Sequence, residues 1–231
     1  MKNIIPNALT ALNLVLGMLS IIFTLNHEFL YASLFIVAAM IADGSDGRVA
    51  RYFQVSSDFG KELDSLCDLI SFGAAPAILA YAFSLKDYAI WGALIAVFFT
   101  TCGALRLARF NVNTDLVKGY FMGLPIPAAG CVVATFVVLG IKPVGVLFPL
   151  MVVIYGYLMV STIRYPDFKG KGEKLRIIPG LIAILAGLYI FIIAHNLLAV
   201  LFAGFFAYSL FGILNSFAGL FDTETRSDFI K

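Results

Sequence analysis

Runs of eighteen or more mostly apolar residues recur along this 231-residue chain, and they constrain its fold more than any other feature. A run of that length can cross the hydrocarbon core of a bilayer as an α-helix. Hydrophobic residues make up 61% of the sequence and charged residues only 13%, which excludes an ordinary soluble domain. The sequence therefore predicts an all-α polytopic membrane protein, embedded in the lipid bilayer, with no nucleic acid as partner.

The apolar runs predict about eight transmembrane helices in a single integral membrane domain, 1–231. Six of them fill about 8–163, and two more fill 176–220. The polar segment 164–175 between these groups is predicted to be a loop, and 221–231 a tail. In chain order, the predicted spans are 8–25, 29–51, 60–83, 88–105, 124–140, 143–163, 176–195 and 197–220.

Acidic residues concentrate in the segment 43–68, between two apolar runs. On a helix, Asp43 and Asp46 share one face, and Asp64 and Asp68 share a face of the helix that follows. Two helices joined by a short turn would bring all four carboxylates around one cavity. Clustered carboxylates repel one another unless protons or cations neutralise them. Since Mg²⁺ and Mn²⁺ prefer oxygen ligands, the segment predicts a divalent metal site.

Small residues and an arginine accompany the aspartates. Gly47 and Gly60 leave room for a ligand close to the backbone, and Arg51 suits bidentate contact with a phosphate. An anionic ligand joined to the carboxylates through metal would account for both features. The alternative from another class is a metal-ion transporter with the aspartates in its ion pathway. A pathway explains the buried acids but not the small residues beside them.

The distribution of Lys and Arg predicts the orientation. Eight spans put both termini on one side, and every Lys and Arg except Lys86 and Lys142 would then lie on that side. Cytosolic loops carry an excess of these residues. We therefore expect both termini, the loop 164–175 and the mouth of the acidic site to face the cytosol, with the protein in the plasma membrane.

The spacing D-x-x-D-G-x-x-A-R-x8-G-x3-D-x3-D, from Asp43 to Asp68, resembles the signature of the CDP-alcohol phosphatidyltransferases, and every fixed position is filled. The resemblance implies six core transmembrane helices, a homodimer and two divalent metals, Mg²⁺ or Mn²⁺. It also implies transfer of a phosphatidyl group from a CDP-linked lipid to an alcohol, with release of CMP. Asp43, Asp46 and Asp64 would be metal ligands, and Asp68 would ligate the second metal and act as general base.

The same resemblance implies a set of residues that bind the CDP-lipid. The first predicted span opens with polar residues at helical spacing, Asn7, Thr10 and Asn13. Such residues either link helices within a membrane or, as in related enzymes with a similar opening, contact the cytidine nucleotide. The implied CDP-lipid-binding residues are Asn7, Thr10, Gly47, Arg51, Ser57 and Gly60.

Three further stretches resemble the phosphatidylserine synthase branch of that family, within residues 3–130. They are Leu69–Ala77 and the stretches that begin at Arg106 and Gly123. The branch implies L-serine as acceptor, with either CDP-diacylglycerol or CDP-archaeol as donor; glycerol-3-phosphate and inositol-phosphate are the alternative acceptors. The carboxylate of serine needs a cation, which Arg106 or Arg109 would supply unless both merely flank the membrane. Ser71 is the third residue predicted to bind the acceptor.

Overall fold

The computed structural model describes residues 4–53, 57–113, 120–140, 145–166, 177–194 and 198–220. Nine α-helices lie within these ranges, with a two-stranded ribbon. The helices of the first half are α1 Ile4–Leu25, α2 Phe29–Phe53, α3 Asp58–Asp68, α4 Ala75–Phe83 and α5 Ala89–Asn113. The second half contains β1 Tyr120–Met122, α6 Ile126–Val138, α7 Leu147–Val160, β2 Arg164–Pro166, α8 Ile177–Ala194 and α9 Ala199–Leu220. The predicted helical membrane class is confirmed.

Among the described residues, five helical stretches are long and apolar enough to cross a membrane, and three apolar helices are shorter. The five are Pro6–Leu25, Phe29–Val49, Asp58–Phe83, Leu85–Val112 and Ala199–Ala218. The three shorter ones are Ile126–Val138, Leu147–Val160 and Ile177–Ile193. Each of the eight lies where a span was predicted. The number of spans, their orientation and the homodimer stay predictions.

The third membrane stretch is not a uniform α-helix. Between α3 and α4, Leu69–Ala74 winds as a π-helix, and the backbone N–H of Ala75 bonds to the carbonyl of Ile70. A π-helical turn holds more residues than an α-helical turn, and such segments often occur at functional sites. This one begins directly after Asp68, so it changes the direction of the side chains that follow the last aspartate.

Two features differ from the sequence-based boundaries. Helix α5 continues to Asn113, beyond the span end predicted at 105, because the helix need not stop where the apolar run stops. Strands β1 and β2 pair antiparallel, with Phe121 opposite Tyr165, so the predicted loop 164–175 begins in a strand. The rest of that loop and the tail 221–231 lie outside the described residues.

The core is centred on α6, whose residues are buried on nearly every side. Helix α1 packs on α2, α2 on α6, α5 on α7, and α8 on α9. Close approach of α1 to the π-helical segment depends on Gly17, where a Cβ atom would collide with Ser71. Small residues allow this kind of backbone contact between membrane helices. This packing directs one face of α1 towards the aspartates of α2 and α3.

Candidate functional site

Three carboxylates from two helices form the centre of the site. Asp43 lies on α2, and Asp64 and Asp68 lie one turn apart on α3. Each offers one oxygen, and these three oxygens all lie within 4.8 Å of one another. Asp68 is buried, while Asp43 and Asp64 are partly exposed. The helical spacing that placed these residues on facing stripes is therefore realised as one compact cluster.

The fourth predicted ligand, Asp46, lies at the edge of this cluster. Its carboxylate is buried and interacts electrostatically with Asp43 and Asp64. The hydroxyl of Thr10 on α1 donates to Oδ2 of Asp46 at 2.7 Å. Thr10, predicted to bind the CDP-lipid, thus holds one of the carboxylates in place.

Helix α1 makes a second contact with the cluster, which the sequence analysis did not assign. The Asn13 side-chain amide donates from Nδ2 to Oδ1 of Asp68 at 3.0 Å, and Asn13 is fully buried. Asn7 lies on the same side, since its Oδ1 would be 3.3 Å from a Cβ atom added at Gly60. The helical spacing of Asn7, Thr10 and Asn13 is visible in the sequence. The residues that they contact can be identified only from the fold.

The donor set fits a hard divalent cation. Three carboxylate oxygens converge within 4.8 Å, and Oδ1 of Asp64 is buried with no hydrogen-bond donor among the described residues. A buried carboxylate oxygen without a donor is costly unless a cation or proton satisfies it. Oxygen ligands of this kind suit Mg²⁺ and Mn²⁺. Asp43, Asp64 and Asp68 are therefore the residues that would hold such an ion.

One arginine faces the cluster from α5. Arg106 is only 7% exposed, interacts electrostatically with Asp68 and Asp43, and stacks its guanidinium 5.4 Å from the ring centre of Phe110. No described residue accepts a hydrogen bond from its Nε atom, which is buried. A guanidinium offers five N–H donors, and a buried one requires acceptors. Arg106 is therefore a buried cation with capacity to bind an anion beside the carboxylates.

The second predicted arginine has different surroundings. Arg109 donates from Nη1 to the carbonyl of Val160 at 2.9 Å, and from Nη2 to the carbonyls of Met122, Met159 and Ser161 at 2.9 to 3.2 Å. These carbonyls belong to the end of α7, the residue after it and strand β1. Arg109 thus links the end of α7 to the ribbon.

The remaining predicted residues lie at the start of α3, in the π-helical segment and on α2. Ser57 caps α3, since its Oγ accepts from the backbone N–H of Gly60 at 3.0 Å. Ser71 donates to the carbonyl of Asn13 at 2.9 Å and is fully buried. Gly47 lies on α2 one residue after Asp46. Arg51 is also on α2, and its side chain lies outside the described part of the structure.

Comparison with known proteins shows which family has this arrangement. A model of the family described as CDP-alcohol phosphatidyltransferase matches residues 3–165. The chain is 42% identical over 179 residues to the CDP-diacylglycerol–serine O-phosphatidyltransferase of Helicobacter pylori, covering 74% of this chain and 76% of that protein.

Two further relatives come from other lineages. The Bacillus subtilis protein of the same name is 40% identical over 167 residues, covering 72% of this chain and 92% of that protein. An archaetidylserine synthase of Methanothermobacter thermautotrophicus is 38% identical over 173 residues, covering 74% of this chain and 72% of that protein. The matched region contains α1 to α7, and with them the aspartate cluster, Asn13 and Arg106. The chain belongs to the CDP-alcohol phosphatidyltransferase family.

Proposed function

We propose that this protein transfers a phosphatidyl group from a CDP-linked lipid to the hydroxyl of L-serine and releases CMP. The observation that carries the proposal is the aspartate cluster with a buried guanidinium beside it, Arg106, which has no described hydrogen-bond acceptor at Nε. The carboxylates suit a metal-bound diphosphate, and the guanidinium suits an acceptor that carries a carboxylate. The names of the relatives from bacteria and archaea support serine as that acceptor.

The donor lipid would bind at the aspartates with two divalent ions, Mg²⁺ or Mn²⁺, held by Asp43, Asp46, Asp64 and Asp68. Such ions neutralise a diphosphate and stabilise the charge that develops on a leaving phosphate. The hydrogen bond from Thr10 to Asp46 and that from Asn13 to Asp68 fix the carboxylates before the substrate arrives. Preorganised ligands need less reorganisation when the charge of the substrate enters.

The CDP moiety would lie along the first turns of α3 and the facing side of α1. Gly60 keeps this surface free of side-chain bulk next to Ser57 and Asn7. We assign CDP-lipid binding to Asn7, Thr10, Gly47, Arg51, Ser57 and Gly60. We propose either CDP-diacylglycerol or CDP-archaeol as the donor, because one relative is named for CDP-diacylglycerol and another for archaetidylserine.

Asp68 is the proposed general base. Its carboxylate would accept the proton of the serine hydroxyl as that oxygen attacks the β-phosphorus of the CDP-lipid. The amide of Asn13 holds Oδ1 of Asp68, which fixes the orientation of the carboxylate.

The contacts of the two arginines favour Arg106 as the residue that binds the carboxylate of serine. Its guanidinium interacts with Asp68, the proposed base, and so lies where the acceptor hydroxyl must arrive. Arg109 donates to four backbone carbonyls and would support the end of α7. Ser71 would contribute indirectly, because its hydroxyl holds the carbonyl of Asn13.

We also propose a cellular location and an oligomeric state for the enzyme. The excess of Lys and Arg on one side supports an integral plasma-membrane protein whose site opens to the cytosol, where serine is available. We also propose that it acts as a homodimer, as the family resemblance implies.

The choice of acceptor is tested by CMP release from purified protein in detergent with CDP-diacylglycerol and Mn²⁺ or Mg²⁺. L-serine, glycerol-3-phosphate, inositol-phosphate and no acceptor are compared side by side. Release that depends on serine and stops with EDTA is the expected result. Release with glycerol-3-phosphate or inositol-phosphate but not with serine would overturn the acceptor assignment and leave the catalytic core intact.

A further inference from the structure

The side-chain amide of Asn13 is only half satisfied. Its Nδ2 donates to Oδ1 of Asp68 at 3.0 Å, but its own Oδ1 is buried and accepts no hydrogen bond from any described residue. Asn13 is fully buried on α1. A buried amide oxygen without a partner is costly, and an ion or an ordered water is the usual explanation for such an atom. The surroundings of this oxygen indicate which partner it suits.

These surroundings are rich in oxygen acceptors. The oxygen and nitrogen of an amide lie about 2.2 Å apart, so Oδ1 of Asn13 is no more than about 5.2 Å from Oδ1 of Asp68. That limit is close to the 4.8 Å that separates the oxygens of Asp43, Asp64 and Asp68. Oδ1 of Asp64 is a second buried acceptor for which the described residues provide no donor. Oxygens gathered in this way suit a cation, which can satisfy several of them at once.

The space around Oδ1 of Asn13 favours a metal ion over a larger partner. Water does not reach this oxygen, nor Oδ1 of Asp64. Mg²⁺ binds oxygen at about 2.0–2.1 Å, whereas an amino group needs about 2.7–3.2 Å. An enclosed oxygen therefore accommodates an ion more readily than the ammonium of serine or the amino group of cytosine. Amide oxygens are also among the ligands of hard divalent cations in proteins.

The backbone that carries Asn13 is held in place. The hydroxyl of Ser71 donates to the carbonyl of Asn13 at 2.9 Å. Gly17, one turn later on α1, approaches Ser71 so closely that a Cβ atom would collide with it. Thr10, one turn earlier, donates to Asp46 at 2.7 Å. These contacts fix α1 against the π-helical segment and α2, so the amide of Asn13 stays beside the carboxylates.

We propose that Oδ1 of Asn13 is a neutral ligand for a divalent ion that Asp68 also binds. The metal site would then draw ligands from three helices, α1, α2 and α3, whereas the family resemblance assigns the metals to the four aspartates alone. An amide oxygen adds a ligand without a negative charge, so the bound ion keeps its attraction for a diphosphate. This inference rests on the proposed function only in placing a divalent ion at the aspartates.

The test measures Mn²⁺ binding to the full-length protein in detergent, from the loss of the electron paramagnetic resonance signal of the free ion. It requires no turnover. Asn13→Ala should raise the Kd for Mn²⁺ at least tenfold. Ser20→Ala is the matched control, because Ser20 is also fully buried on α1 with a hydroxyl oxygen that has no described partner. It lies seven residues, about 10 Å, further along the helix and should change the Kd by less than about twofold.

Asn13→Cys separates a metal ligand from a residue that only orients Asp68. A thiol is a weak donor, so the alanine and cysteine variants both lose the hydrogen bond to Asp68, and both keep the three native cysteines. A thiolate prefers soft cations. The ratio of Cd²⁺ affinity to Mn²⁺ affinity should therefore be at least tenfold higher in Asn13→Cys than in Asn13→Ala. An equal ratio in the two variants would overturn the proposal.

Asn13→Asp provides the same distinction if Asn13→Cys does not fold. It keeps an oxygen ligand without the N–H donor, so it should bind Mn²⁺ at least tenfold more tightly than Asn13→Ala; equal Kd values would overturn the proposal. A wild type that binds no Mn²⁺ would overturn both this inference and the metal-dependent function. A wild type that binds Mn²⁺ no more tightly than Asn13→Ala would overturn this inference alone.

Discussion

Replacing Asp64 by Asn should stabilise the metal-free protein and weaken its response to metal. Three carboxylate oxygens lie within 4.8 Å of one another. At that separation and an effective dielectric constant of 20, each pair of charges repels by about 3.5 kcal/mol. Asp64→Asn removes two of the three pairs, about 7 kcal/mol before bound protons relieve part of the repulsion. Oδ1 of Asp64 has no described donor, so the change sacrifices no known hydrogen bond there.

The assay is thermal unfolding in detergent, with EDTA or with Mn²⁺. In EDTA, we expect the melting temperature of Asp64→Asn to exceed that of the wild type by about 5 °C. At about 2–4 °C per kcal/mol for this chain length, that is about 1–2.5 kcal/mol, because bound protons relieve the rest of the repulsion in the wild type. Mn²⁺ at a hundred times its Kd stabilises a protein by about 2.7 kcal/mol, so the wild type should gain about 5–10 °C. The melting temperature of Asp64→Asn should rise by less than half as much when Mn²⁺ is added.

The matched control is Glu62→Gln, which removes a negative charge from the same helix at an exposed position outside the cluster. It should change the melting temperature by less than about 1 °C in EDTA, because exposed charges contribute little. Repulsion within the cluster is refuted if Asp64→Asn melts below the wild type in EDTA, and the assignment of Asp64 as a metal ligand is refuted if Mn²⁺ stabilises both proteins equally.

Four further substitutions separate the roles assigned to individual residues. Asp68→Asn should still bind CDP-diacylglycerol but lower kcat by about 10²–10⁴-fold, which binding and turnover assays would check. Arg106→Gln should raise the KM for serine by at least tenfold without changing the KM for the CDP-lipid, as steady-state kinetics would measure. Arg109→Gln should instead lower the melting temperature by about 5 °C or more with little change in either KM, because it loses bonds to four carbonyls. Gly17→Ala should also lower the melting temperature, by about 2–12 °C, since overpacking against Ser71 costs about 1–3 kcal/mol.

Helical periodicity was enough to predict the centre of the site. Residues one turn apart share a face of a helix, and the apolar runs on either side of 43–68 set the lengths of the two helices. The structure brings Asp43, Asp64 and Asp68 together as that reasoning requires. Asp46, three residues from Asp43, also faces the cluster but lies at its edge, with Thr10 as partner.

The partners of these residues were not accessible from local sequence. The bond between Asn13 and Asp68 joins positions 55 residues apart, and it depends on how α1 packs against α3. Arg106 and Arg109 are three residues apart and share a helix face, so periodicity treats them alike. Only the position of α7 shows that Arg109 meets backbone carbonyls while Arg106 faces the aspartates.

Irregular backbone was the other part that the sequence did not reveal. The π-helical segment Leu69–Ala74 has the same apolar composition as an α-helical span, so hydropathy cannot distinguish the two. Strands β1 and β2 are three residues each and pair across a long separation in sequence. Strands this short carry too few residues for an alternating pattern to stand out.

The central claim is that the aspartate cluster catalyses metal-dependent transfer of a phosphatidyl group to serine. The most direct measurement is incorporation of labelled L-serine into lipid by purified protein in vesicles that contain CDP-diacylglycerol, with Mn²⁺ or Mg²⁺ and with EDTA. We expect labelled lipid to form in equal amount with CMP, and none to form with EDTA. Folded protein that forms no labelled lipid with either metal, or forms it equally well in EDTA, would contradict the account.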